Sequence, residues 1–173
     1  MNRTKNFLLF VLLAFLLVEC QKIDDGSYAA PLTIYEKLAG TWKLTGLKLT
    51  DEIAKANSIT PFEADIRSKF NFASFTITFH VDADSMPTTF EVGGNAPAMF
   101  LTSGYWELDS PFTHTDGSPS EILLYSDEAR TAIIDKLFIT SIPGSKAEME
   151  YKLIRMDGDL AYASYTYKLK LDQ

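Results

Sequence analysis

The chain has 173 residues, with 16 basic and 23 acidic side chains and a formal net charge of −7 at pH 7. Proteins that bind nucleic acids contact phosphates with an excess of Lys and Arg, so this balance excludes nucleic acid as an expected partner. It also argues against an electrostatic patch for anionic lipids. Aromatic residues make up 13% of the chain, and this favours strands over helices.

The N-terminal segment predicts export and lipid attachment. Arg3 and Lys5 precede twelve uncharged apolar residues, Phe7–Val18, and Cys20 follows. Crossing a membrane takes about 20 apolar residues, so the run is typical of a signal peptide instead. Cys20 is the only cysteine and has no disulfide partner in the chain. We therefore expect residues 1–19 to be removed and Cys20 to carry the acyl chains of a membrane anchor.

Residues 20–35 are expected to be a flexible tether, because they include Gly26, Ser27 and Pro31 and show no apolar period. The acidic stretch after Cys20 fits either an export signal or a solvated tether. Removing residues 1–19 leaves 14 basic and 22 acidic side chains, a net charge of −8. Residues 36–173 are long enough for one core and are expected to form a single domain.

The first predicted elements are a helical turn over Ile34–Leu38 and a strand with Trp42 and Leu44 on one face. The apolar phase shifts after Gly46, which is typical of a β-bulge. One or two short helices are expected in Thr50–Lys69. Thr50 or Asp51 would cap the first, and Pro61 would begin the second.

Apolar alternation and turn residues predict seven more strands. An irregular crossing is expected between the third and fourth strands, and a loop over Asp109–Ser120. Eight strands joined mainly by hairpins predict an all-β, mainly antiparallel fold: an eight-stranded, lipocalin-like up-and-down barrel with a short helical insertion after the first strand. The seven strands are Phe72–Val81, Thr88–Val92, Ser103–Leu108, Glu121–Tyr125, Thr131–Ile142, Glu148–Met156 and Leu160–Leu171.

Three segments carry a resemblance to a known family. Gly40-Thr41-Trp42 resembles the G-x-W signature of lipocalins, in which the tryptophan closes one end of the barrel. Together with Gly94–Phe100 (GNAPAMF) and Leu101–Trp106 (LTSGYW), it resembles the lipocalin-like lipoproteins of unknown function from gut Bacteroidota. The resemblance implies a lipocalin-like barrel on a surface lipoprotein and structural roles for Gly40 and Trp42. It implies no ligand class.

Candidate binding residues lie in the fourth predicted strand and in the loop that follows it. Tyr105 and Trp106 are adjacent in a strand, so one of them faces away from what the other packs against. An exposed aromatic ring beside the Asp109–Ser120 loop, which holds Phe112 and His114, would stack on a small apolar ligand or a glycan. Core packing is the alternative for either strand residue.

Catalytic and metal-binding signatures are absent from the sequence. His80 and His114 are the only histidines and have no ligand partners at metal-binding spacing. The nucleophile motif G-x-S-x-G is also absent. Four glutamates on predicted strands and loops leave open a hydrolase with paired carboxylates. We expect a non-enzymatic protein without a cofactor or metal.

The sequence thus predicts a lipid-anchored protein of the cell outer membrane, exposed at the surface, that binds a small ligand or glycan through its barrel. The alternative is an accessory subunit of an outer-membrane nutrient-uptake complex, with a protein partner and no small-molecule ligand. The barrel interior separates the two, because a ligand site needs an apolar cavity of roughly 300 Å³ or more.

Overall fold

A computed structural model describes residues 30–172 of the chain. Among these residues nine strands form one antiparallel sheet. The elements in chain order are α1 (Ile34–Leu38), β1 (Gly40–Asp51), α2 (Glu52–Ala56), β2 (Glu63–Asp65), a 3-10 turn (Phe72–Ser74), β3 (Thr76–Val81), β4 (Pro87–Gly93), β5 (Ser103–Leu108), β6 (Glu121–Tyr125), β7 (Ile133–Ser141), β8 (Glu148–Asp157) and β9 (Leu160–Leu171).

Eight of the strands close into a barrel, as predicted. From β3 onward each strand pairs with the next, β3 also pairs with β1, and β9 returns to pair with β1 along Trp42–Asp51. The short strand β2 lies outside this ring, against residues 48–50 of β1. Closure leaves no long unpaired edge among the eight strands, which protects the sheet from pairing with another chain.

The bulge predicted at Gly46 is confirmed. The pairing of β1 with β9 shifts register between Leu44 and Gly46. Leu44 and Leu47 are consequently both buried although they are three residues apart, and Thr45 is exposed. The extra residue lets β1 bend while it keeps its apolar side chains in the core.

The segment after β1 contains one α-helix where one or two were expected. Asp51 caps α2, because its side chain accepts a hydrogen bond from the backbone N–H of Ala54 at 2.8 Å. The second helix predicted at Pro61 is wrong. Residues 63–65 form β2 there, since pairing with β1 satisfies their backbone groups and Ile66 N–H donates to Leu47 O at 2.9 Å.

The other strands match the predictions closely. The second predicted strand, Phe72–Val81, begins with the 3-10 turn and becomes a strand only at Thr76, but its alternation holds: Phe75, Ile77 and Phe79 are buried. Residues 96–102 form the expected irregular crossing. No helix in residues 30–172 has the length and apolar character needed to span a membrane.

Up-and-down connectivity gives the barrel two distinct ends. The α1 end carries α1 and the connections 82–86, 109–120 and 142–147. The α2 end carries residues 52–75 and the connections 94–102, 126–132 and 158–159. Ile34, Tyr35 and Leu38 of α1 are buried against the core, so this helix covers the first end.

Candidate functional site

Aromatic side chains fill the barrel interior. Two tryptophans, two tyrosines and two phenylalanines from six strands are its largest fully buried side chains: Trp42, Trp106, Tyr151, Tyr167, Phe79 and Phe90. Two pairs of these rings are in contact, with centroids 4.9 Å apart for Phe79 and Trp106 and 4.8 Å apart for Tyr151 and Tyr167. Packing of this kind leaves few voids larger than a water molecule. Within residues 30–172, these side chains occupy the interior space in which eight-stranded barrels of the lipocalin type hold a ligand.

Tyr151 and Tyr167 are the polar exception in this interior. Their rings stack with centroids 4.8 Å apart and planes 21° apart. Both side chains are fully buried, and neither hydroxyl has a hydrogen-bond partner within the described residues. Burial raises the pKa of both phenols, so both stay protonated at neutral pH. A buried hydroxyl without a partner costs about 1–3 kcal/mol, which makes the pair a candidate contact for a polar group of a ligand.

Residues 96–102, here called the plug, close the α2 end of the barrel over this pair. The ring of Phe100 lies edge-on to Tyr151 and Tyr167, with centroids 6.3 Å and 6.0 Å away. Phe75 also contacts Phe100, with centroids 6.2 Å apart. The plug thus completes the core at the end where an open barrel would have its mouth.

An ion pair at the rim holds the plug in place. Asp135 accepts a hydrogen bond from the backbone N–H of Leu101 at 2.9 Å. Arg155 donates to the carbonyl oxygen of Met99 and lies 3.3 Å from Asp135. Asp135 is mostly buried, with 12% of its side chain exposed, so its attraction to Arg155 is screened less than that of a surface pair.

Trp106 and Tyr105 lie on opposite faces of β5, as predicted. Trp106 is fully buried and donates from its indole nitrogen to the carbonyl oxygen of His80 at 2.9 Å. Its ring also packs edge-on against Tyr35, with centroids 5.9 Å apart. Trp106 therefore presents no face to a ligand in solution. Tyr105 lies on the outer wall, partly exposed, opposite Tyr125 of β6.

Phe112 and His114 lie in the loop at the α1 end. Half of Phe112 is exposed. His114 contacts residues of its own loop, with its Nδ1 2.6 Å from Ser118 Oγ and its Nε2 3.3 Å from Asp109. Tyr105 is on the outer wall and Trp106 is inside the barrel. The structure therefore places the four predicted ligand-binding residues in three locations and does not bring them into one site.

Gly40 and Trp42 close the α1 end of the barrel. Trp42 is fully buried, and its indole nitrogen donates to the carbonyl oxygen of Leu38 at 2.7 Å. This bond satisfies a carbonyl near the end of α1 that has no partner within the helix. Gly40 has a φ of +115°, and this left-handed backbone between α1 and β1 favours glycine.

Sequence patterns did not reveal the half-buried ion pairs on the outer wall. Glu52 of α2 accepts hydrogen bonds from Lys152 at 2.7 Å and from Ser164 at 2.5 Å. Burial alone would raise the pKa of Glu52, but these bonds outweigh burial and leave the pKa lowered. They fasten α2 to β8 and β9.

A second cluster joins β5 and β6. The hydroxyl of Tyr125 donates to Glu107 at 2.5 Å, and Arg130 lies 3.6 Å from the same carboxylate. Burial, followed by the bond to Glu107, raises the pKa of Tyr125 to about 12. Arg130 also donates to the carbonyl oxygen of Pro87 at 2.7 Å, so the β6–β7 connection is held against the outer wall.

An apolar face lies on the outer wall near the α2 end. We call it the β7–β9 face. Its exposed members come from the start of β7, the end of β8 and the start of β9: Ile133, Ile134, Met156, Leu160 and Tyr162. A groove of about 570 Å³ runs along it and is also lined by Phe138 and Ile154. Contiguous exposed apolar surface is typical of protein-binding sites.

Two of the four glutamates considered for hydrolysis lie on the outer wall with cations beside them. Glu121 bonds Lys136 at 2.8 Å, and Glu150 lies 3.6 Å from Lys168. Within residues 30–172 there is no group of three or more His, Cys, Asp or Glu residues that could hold a metal ion. Cys20, the predicted site of lipid attachment, lies outside the described residues.

A protein-family model matches most of the chain. The model of a domain of unknown function, DUF5004, matches residues 18–170. No curated protein and no solved structure matches the chain. Since the match covers most of the chain and the whole barrel except its last residues, the protein belongs to the DUF5004 family, whose function is unknown.

Proposed function

We propose that this protein is a non-enzymatic, lipid-anchored protein of the outer membrane that acts by binding a partner protein of a membrane complex. The filled barrel carries this proposal. Six large aromatic side chains occupy the interior, and the plug covers its α2 end. With the interior occupied, the outer wall is the surface that remains for recognition.

The proposed location at the outer membrane is supported by the sequence alone. A basic start, a short apolar run and a single cysteine fit a lipoprotein signal. The resemblance to lipoproteins of gut Bacteroidota supports exposure at the cell surface and membership of a nutrient-uptake complex. Two or more acyl chains on Cys20 would hold the barrel at the membrane durably.

The β7–β9 face is the proposed docking surface. Met156 and Leu160 are each more than half exposed and flank the turn between β8 and β9. Lys136 and Arg155 line the same groove but are already paired with Glu121 and Asp135. Because these charges are neutralised, the face offers apolar contact area more than net charge, as the centre of a protein interface does.

The test compares complexes in native membranes. We expect mild detergent extraction to release the wild-type chain in an assembly larger than the free acylated chain, as measured by native electrophoresis. A variant with Ile134→Ser and Met156→Ser should run as the free chain. The control is Ile59→Ser, which changes an equally exposed apolar residue on the α2–β2 connection.

The proposal fails if the wild type itself runs as a free chain, or if the double variant stays in the assembly. Circular dichroism of the purified variants shows whether the barrel is intact. Both substituted residues are exposed, so we expect stability to change by less than about 0.5 kcal/mol.

A second candidate function is supported by the two unpartnered tyrosine hydroxyls. If the plug moved away, Tyr151 and Tyr167 would offer two donors and an aromatic face to a small ligand. Asp135 and Arg155 would stand at the entrance. Such a site would take a small glycan or an apolar molecule with a polar group.

Asp135→Ala tests this candidate, because it removes the acceptor that holds Leu101. If the plug is open in only a fraction of the molecules, the apparent affinity for a ligand is the intrinsic affinity multiplied by that fraction. Calorimetric titration with neutral glycans and fatty acids should therefore show tighter binding to Asp135→Ala than to wild type, by about tenfold. If no compound binds either form, or if both bind equally, the second candidate is wrong.

A further inference from the structure

The α1 end of the barrel presents three large exposed apolar side chains. Leu32, Met86 and Phe112 are 59%, 51% and 50% exposed. They come from three separate segments: the residues before α1, the β3–β4 turn and the β5–β6 loop. Met86 and Phe112 line a groove of about 400 Å³ together with residues at the start of α1, next to Leu32 in the chain.

Two of the segments that carry these side chains are hydrogen-bonded to each other, and the third is held by a bond of its own. Ile34 N–H donates to Pro111 O at 2.9 Å, which joins the start of α1 to the β5–β6 loop. The β3–β4 turn is held by Asp82, whose side chain accepts from the backbone N–H of Met86 at 2.9 Å. Leu32 and Phe112 therefore lie on joined segments, and Met86 lies on an ordered turn that shares a groove with Phe112.

The chain before α1 indicates what covers this end. Leu32 is twelve residues after Cys20. A fully extended chain of that length spans at most about 40 Å, and a flexible one spans roughly 20 Å. A lipid on Cys20 would therefore connect the barrel to the bilayer surface through its α1 end. Because this connection is short, it would give the α1 end an effective concentration in the millimolar range at the bilayer surface.

We propose that Leu32, Met86 and Phe112 form a membrane-contact surface that inserts into the bilayer interface and sets the orientation of the barrel. This inference rests on the lipid anchor of the proposed function. Glu36 and Asp84 line the same groove and limit the contact to the headgroup region, since moving a carboxylate into the hydrocarbon is costly. The α2 end, with the plug and the adjoining β7–β9 face, is then directed away from the membrane towards a partner.

The experiment uses an environment-sensitive nitrobenzoxadiazole dye on the full-length acylated protein in phosphatidylcholine vesicles. The dye is attached through Phe112→Cys or Met86→Cys, and the matched control is Ile59→Cys at the α2 end, where Ile59 is 60% exposed. We expect a severalfold rise and a blue shift in emission at both α1-end sites, with quenching by brominated lipids. The control site should not change.

Equal responses at Phe112→Cys and Ile59→Cys would overturn the inference, as would no response at either α1-end site. A response that appears without vesicles would overturn it too, because it would indicate a protein surface and not a bilayer. The wild-type chain separates this failure from failure of the proposed function. Cys20 is its only thiol, so wild-type protein that takes up the dye lacks the acyl group, and the proposed anchor is then wrong.

Discussion

The rings of Tyr151 and Tyr167 stack face to face in the middle of the barrel, with centroids 4.8 Å apart, and neither hydroxyl has a partner among the described residues. The rings contribute to the core as phenylalanine would, while the hydroxyls lose hydrogen bonds to water on folding. The two rings thus occupy the interior, where a ligand would otherwise lie. Their two hydroxyls remain available to form hydrogen bonds with a ligand.

The two hydroxyls should be dispensable for folding. Removing a buried polar group that lacks a partner relieves a cost of about 1–3 kcal/mol. We therefore expect Tyr151→Phe and Tyr167→Phe to leave the free energy of unfolding unchanged or to raise it by about 1 kcal/mol, as measured by denaturant titration. Tyr167→Ala, which removes the ring as well, should cost about 3–5 kcal/mol. Destabilisation by the Phe variants beyond about 1 kcal/mol would mean that the hydroxyls have a bound partner.

The ion pair between Glu52 of α2 and Lys152 of β8 should stabilise the fold at neutral pH. Hydrogen bonds to charged groups contribute about 1.5–3 kcal/mol, and only 15% of the Glu52 side chain is exposed. Glu52→Gln should therefore lower the free energy of unfolding by about that amount at pH 7. The exposed pair of Glu63 and Lys48 is the control, and Glu63→Gln should cost no more than about 1 kcal/mol.

The effect of Glu52→Gln should also depend on pH with a defined sign. The pKa of Glu52 is lowered in the folded state, so the folded protein favours the charged carboxylate more than the unfolded chain does. The stability that Glu52 contributes is then fully present above its ordinary pKa of 4.5 and is lost as the pH falls through the folded value. Denaturation curves at pH 7 and pH 3 check this. A difference between wild type and variant that grows in acid would contradict it.

Gly94, where β4 leaves for the plug, should resist substitution far more than Gly117 does. Both have positive φ values, +91° and +79°, but a Cβ at Gly94 would collide with the backbone of Ser74, while Gly117 has nothing within 4 Å. Gly117→Ala bears only the backbone cost of about 1–2 kcal/mol. Gly94→Ala adds a steric cost of about 1–3 kcal/mol. Equal melting temperatures for the two variants would contradict the close approach of Gly94 to the backbone of Ser74.

Trp42 should anchor α1 to the barrel through its indole nitrogen. Trp42→Phe keeps most of the ring but leaves the carbonyl of Leu38 without its donor, so we expect a loss of about 1–3 kcal/mol. Hydrogen exchange should rise first in residues 34–38. If exchange there matches the wild type, the bond does not hold the helix.

Local patterns predicted most of the fold. Period-2 alternation placed the strands, and the phase shift at Gly46 located the bulge, because a pleated strand that is buried on one face must alternate. Pro61 misled the prediction of a second helix, since proline suits the first turn of a helix and also a loop before a strand. Whether a helix or a strand follows Pro61 is decided by pairing with residues 48–50 of β1, and local sequence does not show that pairing.

The candidate sites were predictable only in part. Asp135 shares the inward face of β7 with Leu137, and Arg155 shares the inward face of β8 with Leu153, so charges at core positions were visible in the pattern. Their pairing across neighbouring strands and their bonds to the plug depend on register, which a single sequence does not give. For the same reason, adjacency in sequence grouped Tyr105 and Trp106 with Phe112 and His114, whereas strand geometry separates them.

Native mass spectrometry of the protein, extracted from its own membrane in mild detergent and then released from its partners, tests the central claim most directly. The account predicts a chain that begins at Cys20, carries covalently bound fatty-acyl groups and retains no small molecule. A chain without acyl groups would contradict the anchor. A stoichiometric small molecule that remains bound would contradict the filled barrel.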